Sequence, residues 1–268
     1  VIDRLATSIR LRARDLRDRA SGRSDRLVPP RHLDFAGHSD FVLTGDEFLH
    51  LFTEYGGLCS THRVLDVGCG SGRMARPLAG FLVQEGTYDG FDLNREAVGW
   101  CRRRYRRHEH FRFQVADLFD ARWNPHGTFR PAEYRFPYPD GSFDFVLATN
   151  ILTHLMPEAC EHYLAECGRV LKPGGTCFTT WFLLNDVSRK LIADGASGLP
   201  FDGAEEAVAI VDEDVPEEAV AYGDDWVFEA LRRHGLVLTG LHPGSWCGRE
   251  EFVSFQDIVI AERIEAPA

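Results

Sequence analysis

Hydrophobic and polar positions along the chain follow two alternating periods. Compact, largely apolar runs stand at 64–67 (VLDV), 87–92 (TYDGFD), 111–116 (FRFQVA), 143–149 (FDFVLAT), 176–182 (TCFTTWF), 236–241 (LVLTGL) and 257–261 (DIVIA). Runs of this length, bounded by glycine and polar residues, read as buried strands. Between them apolar residues recur every three or four positions. That spacing predicts helices over 95–106, 157–170 and 225–233, with a further helix starting near Gly72. Upstream, Ile2, Leu5, Ile9, Ala13 and Leu16 predict a helix over residues 1–20. The segment GDEFLHLFTEYGG at 45–57 predicts another, stopped by two glycines.

Strands that alternate with helices predict an α/β fold, a parallel sheet covered on both faces. The last two strands are expected to form a hairpin. The connection LFDARWNPHGTFRPAEYRFPYP at 118–139 reads as an ordered loop. Residues 183–222 are acidic and poor in apolar residues, with Glu205, Glu206, Asp212, Glu213, Asp214, Glu217 and Glu218. They are expected to form a lid or cap rather than a separate core. The chain thus divides into an N-terminal helical segment (1–60), a core (61–182), an acidic cap (183–222) and a completion of the core sheet (223–268).

Candidate chemistry begins where the first strand ends. VLDVGCGSG puts Asp66 before glycines at 68, 70 and 72. Glycines there allow a tight turn and let a ligand approach the backbone. Asp92 ends the second strand 20 residues after Gly72, an offset at which an acid can accept hydrogen bonds from ribose hydroxyls. Asp117 follows the third strand. The run FDFVLATNILTHL and the turn LKPGG at 171–175 complete the order. This order resembles the class I S-adenosylmethionine-dependent methyltransferases over roughly residues 60–185. The resemblance implies a Rossmann-like seven-stranded sheet, mostly parallel with the last strand antiparallel. It also implies S-adenosylmethionine as cofactor and S-adenosylhomocysteine as product. By match, Asp66, Gly68, Gly70 and Gly72 carry the methionine part, Asp92 the ribose and Asp117 the adenine amino group. Leu93 and Leu118, beside the two acids, and Asn150 join that cofactor set.

A nicotinamide cofactor is the competing reading, because Gly70-x-Gly72-x-x-Ala75 meets the looser dinucleotide fingerprint. Asp66 and Asp117 put charge where a dinucleotide site needs none. The two lysines, Lys172 and Lys190, have Gly168 and Asp186 four residues upstream, so no Tyr-x-x-x-Lys pair exists. The acidic loops are also poor hosts for a diphosphate.

Charge narrows the partners. The net charge is −11, which argues against a nucleic-acid substrate. It is uneven: residues 1–31 hold nine arginines against four aspartates, leaving −16 for the rest. That arm is either a solvated amphipathic helix or a basic surface for an anionic partner. No apolar run reaches the roughly 18 residues that span a membrane, and the first twenty residues are too charged for a secretory signal, so a cytoplasmic location is expected. Seven scattered cysteines do not form a disulfide framework, metal-ligand spacings are absent, and no metal is expected.

For an acceptor hydroxyl a proton sink is needed. His154, five residues past Thr149, is the candidate base; the alternative is a capping histidine. Asn150 either orients the cofactor or acceptor or serves as a turn residue. Phe41, Trp181, Tyr222, Trp246 and Arg249 are candidate acceptor walls, with core packing as the alternative for several of them. Aromatic faces among acids suit polyhydroxylated acceptors. LDFAGHSDF, YPDGSFDFVLATNILTHL and GSWCGR…FQDIVIA also resemble a bacterial subgroup associated with sugar and glycan enzymes. The leading expectation is therefore O-methylation of a carbohydrate or other small polar acceptor. A phenolic or amine natural product comes next, then an NAD-dependent oxidoreductase or a non-catalytic cofactor-binding protein. A homodimer is left open.

Overall fold

The computed structural model describes residues 25–34, 40–121 and 123–264. The helix expected over residues 1–20 lies outside the described residues. Ten strands follow in chain order: β1 (Arg63–Val67), β2 (Thr87–Asp92), β3 (Phe111–Val115), β4 (Phe143–Ala148), β5 (Leu171–Trp181), β6 (Leu183–Leu184), β7 (Val208–Ile210), β8 (Val220–Gly223), β9 (Leu236–His242) and β10 (Asp257–Arg263). Seven of them form one sheet in the order β3-β2-β1-β4-β5-β10-β9. All neighbours pair in parallel except β10, which runs antiparallel to both β5 and β9. The expected seven-stranded sheet with its closing hairpin is therefore present.

The central strands are buried on both faces, which explains their nearly continuous apolar runs. Leu65, Val67, Val146 and Ala148 face one apolar layer; Val64, Phe145 and Leu147 face the other. Helix Phe41–Glu54 covers the second face, with Phe52 edge-on to Phe178 at 4.8 Å and to Phe145 at 5.7 Å. This helix starts four residues earlier than the sequence pattern predicts. Asp40 caps it, accepting from the N–H groups of Val42 and Leu43. Gly45 then falls inside the helix because a Cβ there would stand 2.7 Å from the Arg73 carbonyl oxygen. The helix thus lies close against the end of the glycine loop.

β5 begins at Leu171 rather than at Thr176. Pairing with β4 jumps from Phe143↔Leu171 to Phe145↔Thr176, so Lys172–Gly175 loop out as a bulge with Gly174 at φ 76°.

Residues 183–222 correct the sequence reading more substantially. They hold a second sheet, ordered β6-β8-β7, and a helix, Asp186–Ala193, with a capping box between Asn185 and Ser188. Leu184, Phe201, Ala209, Ala219 and Ala221 pack with Phe182, Trp246 and Cys247 in a core of their own. Composition hid this core because Trp246 and Cys247 arrive from a loop more than twenty residues downstream. The segment is a lobe with a small core, part of it supplied from the loop before β10.

Candidate functional site

Strand order reverses between β1 and β4, and ligands of open α/β sheets bind outside the carboxyl ends of the strands at such a point. Here the loop after β1 and the loop after β4 meet. A Cβ on Gly68 would fall 2.0 Å from Ile151 Cδ1, so the glycine gives passage to that side chain. Gly68, Gly70 and Gly72 all take positive φ, at 74°, 50° and 84°. The N–H groups of Gly68 and Cys69 donate to the Phe91 carbonyl, tying the loop to the end of β2.

Asp92 ties the glycine loop to the start of the next helix. Its Oδ2 accepts from Gly70 N–H at 2.9 Å and its Oδ1 from Asn94 N–H at 2.7 Å. Asn94 in turn caps helix Arg95–Arg104. Each carboxylate oxygen has two acceptor positions, so one remains open on each. Burial holds the Asp92 carboxyl above the usual carboxylate range, while the two N–H groups pull it back. Leu93 is partly buried beside it.

Asp66 is interior rather than lining. It is buried below the loop, where Tyr88 donates its hydroxyl to Oδ2 at 2.6 Å. Burial pushes the Asp66 carboxyl up to about 7, with Asp92 adding repulsion and the Tyr88 hydroxyl opposing. Gly90 makes the contact possible, since a Cβ there would meet the Tyr88 hydroxyl at 2.9 Å and Cys69 Cβ at 2.8 Å. Tyr88 was not among the residues expected at the site. The signal for it is the Tyr-x-Gly spacing on β2 combined with the pairing of Asp66 to Gly90.

Asp117 follows β3 at the same edge. It is partly exposed and pairs with Arg95 at 3.3 Å. Its backbone carbonyl accepts from Thr128 and Phe129, which folds the 118–139 connection back over the strand end. Leu118 is buried in the adjoining core.

Beyond β4, Asn150 adopts the left-handed conformation, φ 57°. Its N–H donates to Thr180 Oγ1 at 2.8 Å, and its Oδ1 accepts from Gln256 Nε2 at 2.8 Å. Thr180 donates to Gln256 Oε1 at 2.6 Å. This polar cluster on β4, β5 and the loop before β10 holds the Asn150 side chain in place. Gln256 and Thr180 are separated from Asn150 by long stretches of chain, and no local pattern marks them.

His154 closes the short helical turn Leu152–His154. Its Nδ1 lies 2.9 Å from the Glu217 carbonyl oxygen. A carbonyl only accepts, so Nδ1 carries a proton, and in the neutral form of the ring the lone pair lies on Nε2. The acidic segment supplies the group that fixes this tautomer.

The expected acceptor walls fare differently. Trp181 and Tyr222 are fully buried and meet edge to face at 5.6 Å, while Tyr222 donates its hydroxyl to the Leu155 carbonyl. Trp246 is 2% exposed and its Nε1–H donates to Asp257 Oδ2 at 2.6 Å. Arg249 reaches Asp257 Oδ1 and Asn185 Oδ1, each at 3.4 Å. Phe41 is buried under the Arg73 guanidinium, 5.7 Å away. Those four side chains and Arg249 are structural in this arrangement. Trp246 turns inward because Asp257, on a strand eleven residues later, offers its indole N–H a buried acceptor.

Residues 64–175 match the family model described as a methyltransferase domain. A fatty-acid O-methyltransferase of Mycolicibacterium smegmatis is 36% identical over 124 residues, 46% of this chain and 36% of that protein. A ubiquinone biosynthesis O-methyltransferase of Thiobacillus denitrificans is 31% identical over 134 residues, half of each chain. The alignments span about a third to a half of those relatives' own length. Among solved structures, a SAM-dependent methyltransferase from Methanosarcina mazei superposes with a TM-score of 0.53 at 20% identity, covering 80% of this chain and 98% of that one. The 1,6-didemethyltoxoflavin-N1-methyltransferase of Burkholderia thailandensis, solved with S-adenosylhomocysteine, gives 0.53 at 17% identity over 98% and 90%. Residues 64–175 are thus similar to a methyltransferase domain, and the chain shares the Rossmann-like fold of these solved structures. Among the described residues no helix is long and apolar enough to cross a membrane, and no cluster of three or more His, Cys, Asp or Glu could hold a metal.

Proposed function

We propose that the protein transfers a methyl group from S-adenosylmethionine to an oxygen of a small-molecule acceptor, with His154 as general base. The observation that carries this reading is the Asp92 carboxylate, which clamps the glycine loop to the next helix and keeps one acceptor position open on each oxygen. Those positions suit a vicinal diol. Gly68, Gly70 and Gly72 border the methionine part, Asp117 and Leu118 the adenine, and Leu93 the ribose edge. Two acids, Asp92 at the end of β2 and Asp117 after β3, also suit a cationic sulfonium better than a diphosphate. When bound, the cofactor supplies both electrophile and leaving group.

The remaining tasks belong to the chain. Asn150, held by Gln256 and Thr180, orients polar groups at the crevice mouth. His154 Nε2 takes the acceptor's proton while Glu217 holds Nδ1. A carbohydrate hydroxyl, the leading expectation from sequence, loses its support here, because the aromatic faces meant to stack on a sugar are interior. An amine acceptor would attack with its own lone pair and leave His154 without a task.

Calorimetry and product analysis test the proposal together. S-adenosylhomocysteine is expected to bind in the micromolar range, and labelled cofactor is expected to yield an O-methylated product by mass spectrometry. Tight NAD binding without S-adenosylhomocysteine binding would overturn it.

A further inference from the structure

At the acceptor side of the crevice the loop 243–256 shows two opposite habits. Its tryptophan is interior, yet Phe252 and Phe255 are 55% and 57% exposed. Leu43, on the first turn of helix Phe41–Glu54, is 70% exposed. One hydrogen bond joins the loop to this helix. Ser254, between the two phenylalanines, donates to Glu47 Oε1 at 2.7 Å, and Glu47 lies one helical turn from Leu43 on the same face. The patch also adjoins the crevice. Gln256, next to Phe255, holds Asn150, and the Phe255 ring is 6.3 Å from Phe182 at the end of β5.

The exposure does not come from a slack loop tip. Val253 N–H donates to Pro243, Ser245 N–H to Ser254 and Trp246 N–H to Phe255, so the backbone that presents the rings is paired. Apolar side chains held in water on a fixed backbone beside the crevice mark a surface that something apolar covers.

Charge narrows what that is. Arg249, the cation of the loop, is turned inward to Asp257 and Asn185. Glu250 and Glu251, just before Phe252, are exposed. An anionic body would meet repulsion there, with no free cation among the loop's residues 243–256 to answer it.

We infer that the acceptor is a neutral amphiphile, a hydroxyl carried on an extended apolar body, with the body lying across Phe255, Phe252 and Leu43 and the hydroxyl reaching into the crevice by Asn150. This rests on the methyl-transfer reading above and adds the substrate class to it.

The test uses the whole protein and the double variant Phe252→Ser/Phe255→Ser, whose changes are at exposed positions. Methylation is measured over straight-chain alcohols of increasing length, fatty acids of the same lengths and an oligosaccharide. Binding of a fluorescent long-chain alkanol is followed separately, so that one readout does not need turnover. The expected result is a kcat/KM that rises with alcohol length, and alkanol affinity that falls at least about tenfold in the double variant with S-adenosylhomocysteine affinity unchanged. Equal alkanol binding by both proteins, or a preference for the fatty acids or the oligosaccharide, would overturn the inference. Absent S-adenosylhomocysteine binding alongside variant-sensitive alkanol binding would instead overturn the methyl-transfer reading and leave the apolar patch standing.

Discussion

Asp92 and Asp257 sit at the same edge of one sheet, and burial holds both carboxyl groups above the usual range. Asp92 ends β2; Asp257 opens the antiparallel β10. Their surroundings differ in one respect. Asp92 accepts two backbone N–H groups and keeps two positions open. Asp257 accepts from Gly244 N–H and Arg249 on Oδ1, and from Leu183 N–H and Trp246 Nε1–H on Oδ2. Four donors fill its four acceptor positions. A buried acid at a strand end is thus a ligand site or a structural peg according to the capacity left over, not according to its burial.

The largest effect expected is at the unfilled acid. Asp92→Ala removes two charge-assisted bonds to a diol, each worth ~1.5–3 kcal/mol, so S-adenosylhomocysteine affinity should fall about 10²–10⁴-fold by calorimetry. Asp117→Ala, a partly exposed acid with one expected bond, should cost far less. Equal losses would erase the distinction drawn for Asp92. At the same crevice His154→Ala should slow methylation of a hydroxyl about 10²–10⁴-fold with cofactor affinity nearly unchanged. A variant that keeps its rate in single-turnover experiments would remove His154 from the chemistry.

The filled acid should behave in the opposite way. Asp257→Ala leaves a buried guanidinium and three N–H groups without their acceptor, a loss of the order of 3–5 kcal/mol in stability. Denaturant unfolding should register it, while the fraction that remains folded binds S-adenosylhomocysteine like wild type. If cofactor affinity fell instead and stability held, Asp257 would belong with Asp92.

The same contrast explains what the sequence made legible. The first four strands of the main sheet agree with the apolar runs to within a residue, because parallel strands buried on both faces leave a continuous signal. The clamp of Asp92 on the glycine loop was legible because its partners, Gly70 and Asn94, lie within thirty residues. Trp246 and Arg249 were misread as acceptor walls because what draws them inward is Asp257, a contact that only the fold creates. The lobe at 183–222 looked coreless because part of its core is lent by residues 246 and 247. Tyr88 and Gln256 were missed for the same reason: each acts on a site residue of a different strand.

Asp66 gives a third kind of acid, deeply buried with one donor, and its expected effect is a slope. Its folded pKa of about 7 lies above the ordinary aspartate value of about 4. Between those values the unfolded chain has lost a proton that the folded protein retains. Its contribution to stability is therefore complete below pH ~4, declines as pH rises, and levels off above ~7. The decline is at most about 1.4 kcal/mol per pH unit. Asp66→Asn should lack that decline, so the difference in unfolding free energy between wild type and variant should fall from pH ~4 to ~7. Tyr88→Phe, which takes away the hydroxyl that favours the carboxylate, should move the upper end of the window higher. A difference curve flat from pH 4 to 7 would mean that Asp66 is ionised in the folded protein.

Asn150 offers the finest cut, because it combines a backbone requirement with a side-chain tether. Its φ of 57° disfavours residues with a Cβ, while its side chain accepts from Gln256. Asn150→Gly and Asn150→Ala lose the tether alike, but only the alanine is forced into the left-handed region. That conformation costs a non-glycine residue roughly 1–2 kcal/mol. Alanine should accordingly be less stable than glycine by about 1 kcal/mol, and both should leave Gln256 Nε2 facing Thr153 Oγ1, 3.4 Å away, as its remaining partner. Asn150→Asp adds the sharper control. It tolerates the same backbone and still accepts from Gln256, so its stability should stay close to wild type. If glycine and alanine proved equally stable, the left-handed turn would carry no strain, and Asn150 would owe its place at the crevice to the side chain alone.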